Sequence, residues 1–67
     1  MKNNIKELRK SAKLSQEELA KLCNVTRQTI NAIENDKYDP TLQLAFSIAS
    51  VLITTVDELF INEWANN

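Results

Sequence analysis

The sequence predicts an all-α chain of five short helices, and three observations lead there. Helix-start signals recur: Ser15 with Glu18 forms an S-x-x-E capping box, Thr55 with Glu58 repeats it, and Thr26 and Thr41 stand as caps before apolar runs. Between the caps, apolar residues return at helical spacing and form inward stripes. The chain has no glycine, and its one proline, Pro40, falls between stripes, where it holds Asp39 extended and cannot be helix interior.

Taken in order, Asn3 or Asn4 caps a first helix through about Ala12, with Ile5, Leu8 and Ala12 on one face. Arg9 falls inside that stripe, where a charge needs a partner. A second helix starts at Ser15, with Leu14 and Leu19 at the spacing of a hydrophobic staple. Thr26 caps a third, with Val25 and Ile30 spaced in the same way. Only Cys23-Asn24-Val25 is left for the turn between them, and Asn24 is the residue there best able to go left-handed. Helix, short turn, helix is the geometry of a helix-turn-helix. Thr41 caps a fourth helix ending near Leu52, with Leu44, Ala45, Ile48, Ala49 and Leu52 inward. Leu42 and Phe46 lie on a neighbouring face, so this helix is expected to bury more than one side. The fifth runs from Thr55 to about Phe60, with Val56 and Leu59 inward.

The third helix carries the chemistry. On a wheel of about 100° per residue, Ile30 and Ile33 mark the buried direction, and Gln28, Asn31 and Asn35 point away from it with the small Ala32 beside them. Arg27 sits in the first turn. Gln and Asn can bond adenine bidentately and Arg can bond guanine, so this face suits reading base pairs. A plain solvated helix face has the same look. Glu34, about 70° from the buried direction, is the natural partner for Arg9.

At this point ELRKSAKLSQEELAKLCNVTRQTINAIENDKYDPTLQLAFSIASVL resembles the XRE family of lambda-repressor-like helix-turn-helix regulators, above all its short single-domain members. The likeness runs from about Ile5 to Phe60, with LSQEELA, VTRQTINAIEN and KYDPTLQLA in order and at family spacing. It implies a five-helix lambda-repressor-like DNA-binding domain over residues 1–60, followed by a short C-terminal tail, 61–67. It further implies a homodimer on a partly palindromic operator in double-stranded DNA, most simply a repressor that occludes a promoter. Arg27, Gln28 and Ala32 match family base-reading positions, and the wheel adds Asn31. Thr29, Asn35 and Lys37 are assigned to the DNA backbone or the edge of the site. Gln16 either bonds phosphate or is an ordinary exposed amide beside a cap, and Tyr38 either donates to phosphate or packs over Pro40. Residues at the positions of Arg9 and Glu34 form an ion pair in the family, so both are assigned to structure. Family members often place glycine where this chain has Asn24, Asp36 and Ile53, and the β-branched Ile53 either strains its turn or reshapes it.

Composition bounds the rest. Sixty-seven residues make one domain with a small core, marginal without strong packing or a partner. With no leading apolar run and no long apolar stretch, a cytoplasmic protein without a membrane span is expected. A lone Cys23 and no His give no disulfide framework and no metal site, and no cofactor or small-molecule ligand is expected. Nor does any nucleophile stand beside a base, so no enzyme is expected. The formal charge is −1, but all eight Lys and Arg fall within residues 1–37. Six acids share residues 1–40 with them, leaving +2, and three acids without a base leave −3 beyond. A basic half and an acidic half would orient the chain on phosphates. Phe46, Phe60, Ile61 and Trp64 are candidates for a dimer contact, while a tail folded back on its own core is the other reading. A rival function is a protein-interaction module, antitoxin-like or adaptor, that uses Phe46, Phe60 and Trp64.

Overall fold

A computed structural model describes residues 1–61. Five helices follow one another: α1 Ile5–Ser11, α2 Gln16–Leu22, α3 Arg27–Glu34, α4 Leu42–Val51 and α5 Val56–Leu59. No strand forms among the described residues. The extended N-terminal segment does pair antiparallel with the chain leaving α5, through an Asn3–Phe60 bridge, Asn4 N–H to Leu59 O and Ile61 N–H to Lys2 O, both at 2.8 Å. Trp64 lies outside the described residues.

The caps sit where the hydroxyl residues are. Ser15 Oγ accepts from the Glu18 amide at 3.0 Å while the Ser15 amide donates to Glu18 Oε1 at 2.8 Å, completing a capping box. Thr26, Thr41 and Thr55 each accept from the amide three residues on. At Thr55 the reciprocal half of the box is missing. Glu58 instead accepts hydroxyl protons, from Thr55 at 3.2 Å and Thr54 at 3.5 Å. At α1 the N-cap position is Asn4, but its side chain donates to Glu58 O, and Asn3 Oδ1 takes the free Ile5 amide at 3.1 Å.

All four longer helices end in the same way, in a chain without glycine. Lys13, Asn24, Asp36 and Ile53 hold φ of 60°, 58°, 61° and 55°. At each, that amide and the next bond back to the last turn: Lys13 to Lys10 O and Leu14 to Arg9 O, Asn24 to Lys21 O and Val25 to Ala20 O, Asp36 to Ile33 O and Lys37 to Ala32 O, Ile53 to Ser50 O and Thr54 to Ala49 O. This is the Schellman motif repeated four times. Asn and Asp tolerate the left-handed region; an isoleucine there costs roughly 1–2 kcal/mol. The sequence leaves open whether Ile53 strains its turn or reshapes it, and the turn is kept. Its side chain is 92% exposed, so no burial offsets the strain. Ile53→Asn is therefore expected to raise stability by about 1 kcal/mol, or roughly 4–8 °C in thermal denaturation. An unchanged melting temperature would show that the turn is unstrained.

The core lies where the five helices meet. Ile5, Leu19, Ile30, Ile33, Ile48 and Leu59 are fully buried, one or two from each helix. Each contributes about 1.5–3 kcal/mol by leaving water. Ala20, Ala45 and Ala49 fill the narrow gaps between them. Phe60 belongs to this core as well, at 7% exposure. The sequence offers it as a dimer contact, but nearly all of its surface is already covered within this core, where its backbone pairs with Asn3. The expected second buried side of α4 does not form within the described residues. Leu42 is 68% and Phe46 57% exposed, because α4 packs on its neighbours through Ala45, Ile48 and Ala49, with Leu44 and Val51 beside them.

Candidate nucleic-acid interface

The site is built on α2, the turn at Asn24, and α3. Leu19 and Ala20 of α2 pack against Ile30 and Ile33 of α3, so the two helices form one body. The left-handed Asn24 turns the chain sharply enough for Thr26 to start α3 at once. With Ile30 and Ile33 fixed inward, helical geometry drives Arg27, Gln28 and Asn31 outward, where all three are exposed and line one shallow depression. Ala32 is half-buried at its edge. No helix among the described residues is long and apolar enough to cross a membrane.

Beneath this face lies a buried ion pair. Arg9 Nε donates to Glu34 Oε2 at 2.7 Å and Nη2 donates to Oε1 at 3.1 Å, a bidentate fork with side-chain exposures of 10% and 3%. Arg9 Nη1 also donates to Leu14 O at 2.9 Å. One guanidinium thus ties α1 and the α1–α2 turn to the end of α3. The hydrogen bond to Glu34 raises the Arg9 pKa; burial opposes this, and Glu34's charge adds to it. Glu18 is held below the ordinary carboxylate range, first by the Ser15 amide and then by the Ser15 hydroxyl. Burial alone pushes the Cys23 thiol up.

The remaining polar residues are more tied down than the sequence implies. Gln16 Nε2 donates to Glu34 Oε1 at 3.1 Å, and Gln16 Oε1 accepts from Asn31 Nδ2 at 3.4 Å. Gln16 is therefore neither a free amide nor simply a phosphate donor: it bridges α2 and α3. Asn35 folds back on α3, donating to Asn31 O at 2.9 Å and to Asn31 Oδ1 at 3.3 Å. Thr29, assigned from sequence to the DNA backbone, is half-buried and shares a 3.0 Å hydrogen bond with the cap hydroxyl of Thr26. It lines a groove with Tyr38, Thr41 and Leu44. Tyr38 stays half-exposed there and does not share the cleft that Pro40 lines. Lys37, just past the end of α3, is exposed.

Known proteins share this arrangement. A helix-turn-helix family model matches residues 5–59. An uncharacterized HTH-type transcriptional regulator of Methanocaldococcus jannaschii is 51% identical over 63 residues, covering 94% of this chain and 96% of that protein. The restriction-modification controller protein C.AhdI from Aeromonas hydrophila superposes with a TM-score of 0.79 at 32% identity, over 85% of this chain and 86% of that one. The clp gene regulator ClgR from Corynebacterium glutamicum gives a TM-score of 0.74 over 78% of this chain, which spans 55% of that one; at 19% identity this is a likeness of fold. Sequence, architecture and the exposed third helix agree: the chain belongs to the XRE family of helix-turn-helix transcriptional regulators, DNA-binding proteins and not enzymes.

Proposed function

We propose that this regulator is a cytoplasmic repressor that occupies a partly palindromic operator as a homodimer. The joint exposure of Arg27, Gln28 and Asn31 on one side of α3 carries this reading. Arg27 suits a guanine, Gln28 and Asn31 suit adenines, and Ala32 leaves room for a thymine methyl. Lys37 and Tyr38 flank the site as phosphate contacts, and Gln16 and Asn35 lie at its edge. Two copies of α3 set one helical turn apart would read two half-sites.

For the dimer, the candidate surface is α4. Phe46 stands one turn from Leu42 and shares a shallow groove with Leu22 and Val51. Ile61 is also part-exposed, at the end of the described chain. Phe46→Asp is expected to shift the protein from dimer to monomer in sedimentation while its helical circular dichroism is retained. A dimer unaffected by this change would place the interface elsewhere.

The function is tested by selection from a random duplex pool at two salt concentrations. Enrichment of a palindromic site is expected. No enriched site at either concentration would contradict operator binding and favour a protein-interaction module.

A further inference from the structure

We infer that Glu34, beyond its structural pairing with Arg9, is a positioning residue that sets which way round the Gln16 and Asn31 amides face, and through them the base preference of α3. The inference rests on the base-reading role of Asn31 proposed above.

A carboxamide is almost symmetric in shape, so an exposed Asn or Gln can turn over and exchange its donor and acceptor ends. Here the exchange is blocked from below. Glu34 is charged and bonded by Arg9, so its oxygens only accept. Gln16 must then present its NH2 to Glu34 Oε1, as it does at 3.1 Å, and this leaves Gln16 Oε1 facing outward. An outward-facing oxygen takes a donor, and Asn31 supplies Nδ2 at 3.4 Å. Asn31 Oδ1 is left on the other side, where Asn35 Nδ2 donates to it at 3.3 Å. The polarity of the whole row follows from one buried carboxylate.

What Asn31 has left for a partner is one N–H and one lone pair of Oδ1. That donor–acceptor pair matches the N7 and N6 edge of adenine and not the two acceptors of guanine. A held amide meets both adenine groups at once, while guanine offers Oδ1 no donor in either orientation, so releasing the amide weakens the adenine contact and does not admit guanine. Glu34→Gln would let the row invert, since the carboxamide it introduces could offer its own NH2 to Gln16.

The test uses the full chain and pairs of duplexes that differ at one base pair, drawn from a selection on the wild-type protein. Asn31→Ala first identifies the base pair whose preference is lost. Gln16→Met then cuts the row while leaving both Arg9–Glu34 hydrogen bonds in place. A good bidentate contact discriminates on the order of 5- to 150-fold. With Gln16→Met, the adenine-over-guanine ratio at that base pair is expected to fall about twofold or more through weaker binding of the adenine duplex, with helical circular dichroism retained. Glu34→Gln is expected to relax the same base pair and no other. If Gln16→Met weakens all duplexes alike and leaves the ratio intact, Gln16 acts on the backbone alone and the inference is overturned. If Asn31→Ala changes preference at no base pair, the base-reading role itself fails, and this inference with it.

Discussion

Arg9→Ala is expected to lower the melting temperature by about 15 °C or more, the largest single-site loss outside the apolar core of this domain. The substitution leaves Glu34 charged, with its side chain 3% exposed and two of its three hydrogen bonds gone. Breaking a buried pair from one side costs about 3–5 kcal/mol, because an uncompensated charge stays behind. A domain of 67 residues has on the order of 3–10 kcal/mol in all, so the variant sits at the edge of unfolding. Replacing both partners separates this cost from the worth of the pair. Arg9→Met with Glu34→Leu removes both charges, and well-packed apolar residues often replace a buried pair without loss. The double variant is therefore expected to regain most of the lost stability. A single variant as stable as the wild type would mean that water reaches Glu34 and that the pair is a surface one.

The second large effect is on DNA. Gln28→Ala is expected to cost about 1–3 kcal/mol at one base pair of the operator and to relax preference there. Lys37→Ala should weaken all sequences alike and reduce the salt slope by about one, as loss of one phosphate contact does. The two substitutions lie at opposite ends of α3 and are measured as affinities for matched and mismatched duplexes at several salt concentrations. Equal behaviour of the two variants would remove the distinction between reading and positioning contacts on this face.

Much of this architecture is legible in the sequence because it is made locally. A hydroxyl at Ser15, Thr26, Thr41 or Thr55 reaches an amide three residues away, so a helix start is written in four consecutive letters. The direction of α3 is equally local: Ile30 and Ile33 face the core, and the outward positions follow from 3.6 residues per turn. What the letters do not show is set by contacts between distant segments. Phe60 is buried where the chain leaving α5 pairs with the distant Asn3, and a four-residue α5 is too short for its own periodicity to define a face. Gln16 has no reason within its own helix to be anything but exposed; Glu34, 18 residues on, captures it. Thr29 shares its hydroxyl with the cap hydroxyl of Thr26, a pairing that its place on the helical wheel does not reveal. Lys13 gives no hint of its positive φ, since lysine has no preference for that region; the Leu14 and Lys13 amides bonding back to α1 impose it.

Whether the exposed side of α3 meets the edges of base pairs is tested most directly by the side-chain NH2 signals of a 15N-labelled protein titrated with the selected duplex. Gln28 and Asn31 should shift and broaden on binding, while Gln43, exposed on α4, stays in place. If Gln43 moves and the two α3 amides do not, DNA lies on another face and the account is wrong.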